Sequence, residues 1–558
     1  MRSRWSILFA SVLPALLVLL LASAARAGEL YENPNFGFKL RPPKGWAQMP
    51  QQSSEEWQVV KYLSDKTYFW TDKAGGWTFE FKPELTVVAF VTEVTRQKAE
   101  VEKKKEDGKD SITILLRNPY KDYLDYLKRT YSGGGYYVSE EKDLELEGVP
   151  VHVYEIKVEK LARGGPKRIV TWLYKQPEVE FAVQIEVFED SYPKVKALME
   201  DAFKSFRLIP RTGGGLPGAT TGEKLVLEDT SKLTPKQREE RRRGSERKAQ
   251  EKALKTVPEG WDTFRTKRFL VLYHTDEKFA RRIAGQAESL FAWLEATFPF
   301  VGPEEYVRCP VLRICKDSDE YNAYWTGGIS FSFGERAPEV VAYNDQSGFQ
   351  TGWAVERLNQ ELCDFWFHER DAQLAAAMPN WLVSGLLQTL GNARCDKTTG
   401  KMEFRADEWG RDEVRQIVRS GAALRPRELI RQTSDDFAGK SGDQYMNSTW
   451  QSGAWVFYLT AGAGAKDAKT KELLSSYIRN LKQVVTDREA LDRAGDKTTP
   501  EAPKTEEEEE AQFKARSTLW RQRQKELLDE TYERTFRSWS DKQWDAIEQA
   551  YFKTLGGK

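Results

Sequence analysis

Between residues 29 and about 210, short runs of alternating apolar and polar residues predict strands with one buried face. These runs are Phe36–Leu40, Trp77–Phe81, Leu85–Val94, Val151–Val158, Ile169–Tyr174 and Glu180–Phe188. One helix is predicted over Tyr120–Thr130. A second is predicted where Val195, Met199, Ala202 and Phe206 recur at helical spacing. Together these elements predict an α+β domain over residues 28–210.

Residues 211–256 have the composition of a linker that is first flexible and then helical. Glycines and a proline fill 213–218, which favours a flexible joint. Thr234, Pro235 and Gln237 then supply a helix cap, a first-turn proline and a capping box. Residues 232–255 hold ten basic and four acidic residues. A patch for acidic polymers or lipid headgroups is one interpretation, but a solvated helical spacer is favoured.

A second domain is predicted over residues 257–558. Its opening order is strand, helix, strand, strand and helix, with strands at Phe269–Tyr273, Val311–Cys315 and Val340–Tyr343. Later helices are predicted at Ser448–Thr460, Thr470–Leu481, Lys514–Phe536 and Asp541–Leu555. The acidic, proline-containing segment at about 498–512 is predicted to be a disordered surface insertion, with a cation-collecting loop as the alternative.

The last helix of that opening order carries the most informative motif of the chain. It contains Gln360-Glu361-Leu362-Cys363-Asp364, and Trp381-Leu382-Val383-Ser384-Gly385 follows. The pair resembles the H-E-x-x-H and W-L-x-E-G motifs of peptidase MA-like gluzincins, which are zinc peptidases. The resemblance places Gln360 and Asp364 where that family has its two histidine ligands, and Ser384 at the third ligand. Only Glu361, at the position of the general base, keeps the family's residue.

These replacements predict a protease-like domain without the metal chemistry of a protease. Gln360 and Asp364 are four residues apart and share a helix face, so both can point into one cleft. However, an amide, a carboxylate and a hydroxyl are a weak ligand set for zinc. Without a metal-activated water, Glu361 has no nucleophile to serve. We therefore expect a pseudopeptidase with no metal and no cofactor, which binds a protein, peptide or other ligand.

Histidine offers one alternative site. The chain has three histidines, and His368 follows Asp364 by one helical turn. A hydrolase with a relocated site at Glu361, Asp364 and His368 is therefore an alternative. The favoured interpretation is a helix-end histidine that neighbours or solvent satisfy. His152 and His274 accompany apolar runs and are predicted to be strand residues.

The predicted first domain has its own resemblance. Gly37-Phe38 through Gly45-Trp46 at its start, and Lys204-Ser205-Phe206-Arg207 at its end, resemble Mog1/PsbP-like domains. This resemblance implies an α/β sandwich with a binding or assembly role and no catalytic residues. A third interpretation therefore makes the protein an envelope-assembly scaffold that acts through this domain.

The overall charge argues against polyanionic partners. The chain of 558 residues has 85 basic and 85 acidic residues, so no global field favours nucleic acid. Its 18 tryptophans are a possible set of sugar-binding platforms. Because many of them lie within apolar patterns, core packing is the favoured use.

The first 27 residues have the pattern of a secretory signal. Arg2 and Arg4 precede the apolar run 7–21, and Ala25-Arg26-Ala27 is a cleavage pattern. We therefore expect a secreted or periplasmic protein, cleaved after Ala27, with no transmembrane segment afterwards.

The cysteines suit such an oxidising compartment but define no disulfide framework. Cys309 and Cys315 flank one extended run and are too far apart to pair with each other. A Cys363–Cys395 bridge, which would join the motif helix to the end of the next helix, is left open.

Overall fold

The structure, a computed structural model, describes most of the chain. The described residues are 28–50, 58–73, 76–92, 103–106, 109–115, 122–131, 135–159, 164–212, 224–226, 233–255, 257–301, 311–324, 339–344, 351–396, 398–439, 442–495 and 506–556. The signal-like segment 1–27, the glycine-rich joint and Cys309 lie outside them. The chain divides into two compact units. The first takes in the described residues within Met1–Leu233, Lys248–Trp261 and Ser318–Ala337, and the second those within Thr234–Arg247, Asp262–Asp317 and Pro338–Lys558.

The first unit is built on a seven-stranded antiparallel sheet with the order β10-β11-β12-β13-β7-β4-β3. Its smaller sheets are β1-β2-β14, β15-β9-β8 and β5-β6. The strands are β1 (Tyr31–Asn33), β2 (Phe38–Leu40), β3 (Ala47–Gln48), β4 (Gln58–Leu63), β5 (Tyr68–Thr71), β6 (Thr78–Phe81), β7 (Glu84–Val91), β8 (Lys103–Glu106), β9 (Lys109–Leu115), β10 (Tyr136–Leu146), β11 (Val149–Val158), β12 (Lys167–Tyr174), β13 (Val179–Phe188), β14 (Arg207–Leu208) and β15 (Lys224–Val226).

The large sheet is covered on both faces, which explains the long apolar runs of its central strands. Successive side chains of a strand point to opposite faces. Accordingly, Val183 and Ile185 of β13 join a core with helix α2 (Tyr192–Ser205), whereas Ala182 joins one with helix α1 (Tyr123–Thr130). A helix on each face makes this unit an α+β sandwich.

The second unit opens with a mixed four-stranded sheet of order β16-β17-β18-β19. Its strands are β16 (Asp262–Arg265), β17 (Leu270–Tyr273), β18 (Val311–Cys315) and β19 (Glu339–Tyr343), and β20 (Arg394–Cys395) pairs with β21 (Met402–Glu403). β16 is antiparallel to β17, whereas β17, β18 and β19 are parallel. The predicted strands and helices occur in the predicted order, but β16 precedes them and a short helix, Ser318–Tyr324, lies between β18 and β19. The α+β fold class is confirmed.

The remaining helices belong mostly to the second unit. They are α3 (Pro235–Lys255), α4 (Glu277–Thr297), α5 (Ser318–Tyr324), α6 (Thr351–Arg370), α7 (Ala372–Ala377), α8 (Asn380–Gly391), α9 (Glu408–Arg419), α10 (Pro426–Leu429), α11 (Ser434–Ala438), α12 (Gly442–Thr460), α13 (Ala468–Lys471), α14 (Leu473–Gly495), α15 (Glu506–Phe536) and α16 (Asp541–Thr554). Of these helices, α5 belongs to the first unit and α3 is divided between the two. In the described part of the chain, none of the helices combines the length and the apolar character needed to cross a membrane.

The predicted capping box of the linker helix is confirmed. α3 begins at Pro235, Gln237 donates its backbone N–H to Thr234 Oγ1 at 3.3 Å, and Thr234 donates its own to Gln237 Oε1 at 2.9 Å. The domain boundaries at 210 and 257 remain predictions.

The prediction of a disordered insertion up to residue 512 is wrong at its carboxyl end. Helix α15 begins at Glu506 and includes the run of glutamates. Glutamate is a good helix former, so an acidic run without proline extends a helix that follows it. The proline-containing part, 498–505, lies outside the described residues.

Candidate functional site

Helices α6 and α8 carry the residues that the sequence singles out. On α6, Leu358, Leu362 and Trp366 recur at helical spacing and are buried, so the helix packs through this face. Asn359, in the first half of α6, donates to the carbonyls of Leu390 (2.8 Å) and Ala393 (2.9 Å) at the carboxyl end of α8. Since only the short segment 371–379 joins the two helices, we infer that they run in opposite directions.

Two of the predicted metal positions pair with a side chain one turn away on α6. Gln360 Nε2 donates to Glu356 Oε1 at 3.3 Å and lies 3.2 Å from where a Cβ on Gly391 would be. Asp364 Oδ1 lies 3.2 Å from His368 Nδ1. Ser384, half-buried, precedes Gly391 by seven residues and therefore lies on the same face of α8, alongside the second half of α6. The three positions thus belong to two adjacent, antiparallel helices.

Glu361, the residue that matches a general base, is engaged by its own helix. It is 5% exposed, and Arg357 Nε, one turn earlier, donates to its Oε1 at 3.1 Å. A buried carboxylate is stabilised by such a charge-assisted hydrogen bond. A general base needs a free lone pair directed at a substrate or water. The hydrogen bond from Arg357 occupies one lone pair of one carboxylate oxygen, so Glu361 has a structural partner on its own helix.

Each of the three histidines has at least one polar partner close to it in the structure. His368 Nδ1 is 3.0 Å from the carbonyl of Asp364 as well as close to its carboxylate. His152 lies in a strand, β11, as predicted, and its Nδ1 is 2.6 Å from Asp143 Oδ1. His274 directly follows β17 instead of lying within it, although its N–H still bonds the carbonyl of Ile314 at 2.9 Å.

Metal-ligating side chains are scattered across the described ranges, which contain no group of three His, Cys, Asp or Glu residues that could hold a metal ion. Catalytic zinc sites use three protein ligands. The residues present at Gln360, Asp364 and Ser384 do not fit such a site.

The open question of a Cys363–Cys395 bridge is answered by two free thiols. Cys363 is fully packed in the core of the second unit, and burial raises the pKa of its thiol. Cys395 Sγ lies 3.0 Å from Ser289 Oγ instead. Cys315 is also free and buried.

A charged cluster beside Gln360 has no counterpart in the motif. Burial raises the pKa of Glu356, the negative charge of Asp407 raises it further, and Arg394 opposes both. Arg394 donates to the carbonyls of Gly391 (2.7 Å) and Ala393 (2.9 Å), which the end of α8 leaves without helical partners. The sequence could have revealed that Glu356 lies beside Gln360, because residues four apart on a helix are neighbours.

A cavity of about 360 Å³ opens between α8, α9, α12 and the end of α16, next to this cluster. Its lining includes Gln388, Arg405, Asp407, Arg411, Trp450 and Phe457. These residues come from distant parts of the chain, so sequence patterns did not reveal them. One signal was available, since Trp450 and Phe457 are two turns apart on α12 with Gly453 and Ala454 between them.

No family model and no curated relative matches the chain. Solved structures similar to part of the chain include cyanobacterial PsbP (CyanoP) from Synechocystis, with 11% identity and a TM-score of 0.22 over 33% of this chain and 93% of that chain. A protein of unknown function from Pseudomonas aeruginosa, PA94, has 11% identity and a TM-score of 0.16 over 33% and 98%. LpqN, involved in cell envelope biogenesis of Mycobacterium tuberculosis, has 10% identity and a TM-score of 0.19 over 33% and 86%.

The first of these is a PsbP protein, the family that the amino-terminal pattern resembles. At such identities and TM-scores, the similarity, which covers a third of this chain, carries no conclusion about its fold or its function.

Proposed function

We propose that this protein is a non-catalytic, extracytoplasmic binding protein, whose second unit keeps the helix arrangement of a metallopeptidase without its chemistry. The observation that carries the proposal is the hydrogen bond of 3.1 Å between Arg357 and Glu361. It engages the one residue of the motif that matches a catalytic residue. The pairing of Gln360 with Glu356 and of Asp364 with His368 supports the same interpretation.

The direct test is hydrolysis by the full-length protein. A pool of fluorogenic peptides is incubated with the wild type, with Glu361→Gln and with His368→Ala. We expect no turnover above that of a heat-denatured sample, and no difference among the three proteins. Turnover that survives purification, is lost in both variants and is accompanied by unchanged thermal unfolding would overturn the proposal. It would establish instead the alternative hydrolase at Glu361, Asp364 and His368.

The first unit offers a second candidate, an assembly scaffold that acts through this unit. The hairpin β5–β6 exposes two large apolar side chains, Phe69 at 61% and Trp77 at 71%. Exposed aromatic side chains are enriched at protein contact sites. The register of β5 and β6 places Phe69 and Trp77 on opposite faces of the hairpin, so each marks a separate candidate surface. If this hairpin holds the partner, affinity capture from the exported fraction by the full-length protein will lose a defined partner in Trp77→Ala. Capture that is unchanged in this variant but lost when α6 is altered will favour the first proposal.

A further inference from the structure

We propose that the cavity between α8, α9, α12 and α16 binds a small neutral carbohydrate. The cavity lies within the second unit, and its lining does not include the predicted metal positions. The inference therefore holds whether or not the helix α6 is catalytic.

The wall of the cavity on α12 has two aromatic side chains separated by small residues. Trp450, Gly453, Ala454 and Phe457 are spaced i, i+3, i+4 and i+7, so they share one helix face. Trp450 and Phe457 are half-buried, with the small residue Ala454 and the Gln388 amide over Gly453 between them. Trp409 packs edge-to-face on Trp450, with ring centroids 5.4 Å apart and an interplanar angle of 81°. This contact helps to hold the Trp450 ring in place at the cavity. Flat apolar surfaces of this kind suit the C–H face of a sugar ring.

Two hydrogen-bonding groups are held over glycines at the cavity. A Cβ on Gly453 would overlap the amide of Gln388, and a Cβ on Gly410 would overlap the carboxylate of Asp407. Both glycines also line the cavity. The missing side chains thus create the space in which an amide and a carboxylate reach the ligand. A small number of well-placed polar groups beside apolar walls fixes the orientation of a ligand.

The charges favour a neutral ligand with hydroxyl groups. Arg405 and Arg411 line the cavity and are donors only, whereas Asp407 is an acceptor only and Gln388 is both. Arg411 also lies 4.0 Å from Glu408 and donates to the carbonyl of Thr554 at 3.4 Å. The two arginines are therefore matched by two carboxylates, Asp407 and Glu408, and no excess charge attracts an anion. A hydroxyl donates and accepts, so it can satisfy all of these groups. The volume is at the lower end of the range of about 300–1,000 Å³ for ligand sites, which suits one or two sugar rings.

The test is calorimetric titration of the full-length protein with glucose, galactose, mannose, N-acetylglucosamine, cellobiose and N,N′-diacetylchitobiose. Benzoate and inorganic phosphate serve as anionic probes. We expect saturable binding of at least one sugar at millimolar or lower concentration and none of the anions. Asp407→Asn and Gly453→Ala should each weaken that binding at least tenfold. Gly453→Ala acts by displacing Gln388.

Gly285→Ala is the matched control. Gly285 is in helix α4, and a Cβ there would meet nothing within 4 Å. This variant should bind as the wild type does, and thermal melting of all variants shows whether they fold. Absence of saturable binding by every sugar, saturable binding of benzoate or phosphate instead, or equal binding by folded Gly453→Ala would overturn the inference. None of these outcomes alters the hydrolysis result, so the two proposals fail separately.

Discussion

Glu356 and Gln360 are one turn apart on α6, but burial affects them differently. The amide of Gln360 is neutral at every pH, whereas the carboxylate of Glu356 must lose water and lies near the charge of Asp407. Desolvation and a like charge both disfavour the ionised form. Because the pKa of Glu356 is raised in the folded protein, folding is favoured below the ordinary glutamate pKa. That contribution is lost as the pH rises through the raised pKa.

We therefore predict that Glu356→Gln stabilises the protein at neutral pH. The gain should shrink as the pH falls and vanish below the ordinary glutamate pKa of about 4.3. Denaturant unfolding of wild type and variant between pH 4 and pH 8 checks this, with the exposed Glu403→Gln as the control. A loss of stability at pH 7, or a gain that does not depend on pH, would contradict this reading of Glu356.

At the scale of elements, the close approach of α8 and α12 depends on glycines at their contact, Gly385 on α8 and Gly453 on α12. A Cβ on Gly385 would be 2.8 Å from the carbonyl oxygen of Ser452 and would overlap Val456. Backbone cannot give way as easily as the end of a flexible side chain. Gly385 also belongs to the motif that resembles W-L-x-E-G, so its place there has a packing reason in this chain.

Gly385→Ala should therefore destabilise the protein by about 1–3 kcal/mol, as overpacking of a close contact does. Gly285→Ala, with open space at its Cβ, should instead be neutral or stabilising by up to about 1 kcal/mol. Chemical denaturation of both variants compares them. Equal effects at the two positions would show that α8 and α12 are not in such close contact.

A buried amide network joins α6, the end of α8, α4 and β20. Asn359 of α6 binds the end of α8, and Gln286 Nε2 of α4 donates to Asn359 Oδ1 at 3.0 Å. Gln286 Oε1 in turn accepts the N–H of Cys395 at 2.6 Å. Each side-chain amide of this network therefore has hydrogen-bond partners, as polar groups buried in a protein core generally do.

Asn359→Ala should cost about 1–3 kcal/mol of stability, because the carbonyls of Leu390 and Ala393 lose a donor in a buried place. Asn392→Ala, at the half-buried end of α8, should cost less. The free energies of unfolding of the two variants decide this. If Asn359→Ala is as stable as the wild type, water replaces the amide and the network does not hold the helices together.

The elements also show how far patterns of residues predict structure. β18 has the predicted bounds, Val311–Cys315, because a buried parallel strand is a continuous apolar run. β10 was not predicted, since its eleven residues at a sheet edge are largely exposed and polar. The start of α15 was missed because a glutamate run has the composition of a disordered segment as well as that of a helix.

At the scale of the whole molecule, the sequence allowed different kinds of prediction for the two units. The motif positions on α6 and α8 were found because they lie within one continuous stretch and match a known spacing. The cavity was not found from the sequence, because its lining extends from Gln388 to Leu555 and no single contributing segment has a recognisable motif. For the first unit, the residue pattern predicted an α+β architecture but no catalytic residues.

The resemblance to a zinc peptidase also makes a prediction that only the folded molecule can test. If Gln360, Asp364 and Ser384 occupy the positions of three ligands on two facing helices, the triple variant Gln360→His, Asp364→His, Ser384→Glu should restore a zinc site. Zinc normally takes two histidines and one glutamate in such a site, with water as the fourth ligand.

Zinc content by elemental mass spectrometry, measured after dialysis against zinc and then against buffer, tests this most directly. The account predicts no retained zinc in the wild type and one zinc per chain in the triple variant, accompanied by a higher melting temperature. One zinc per wild-type chain, lost in Asp364→Ala, would contradict it. So would a folded triple variant that retains none, because the three positions would then not share a cleft.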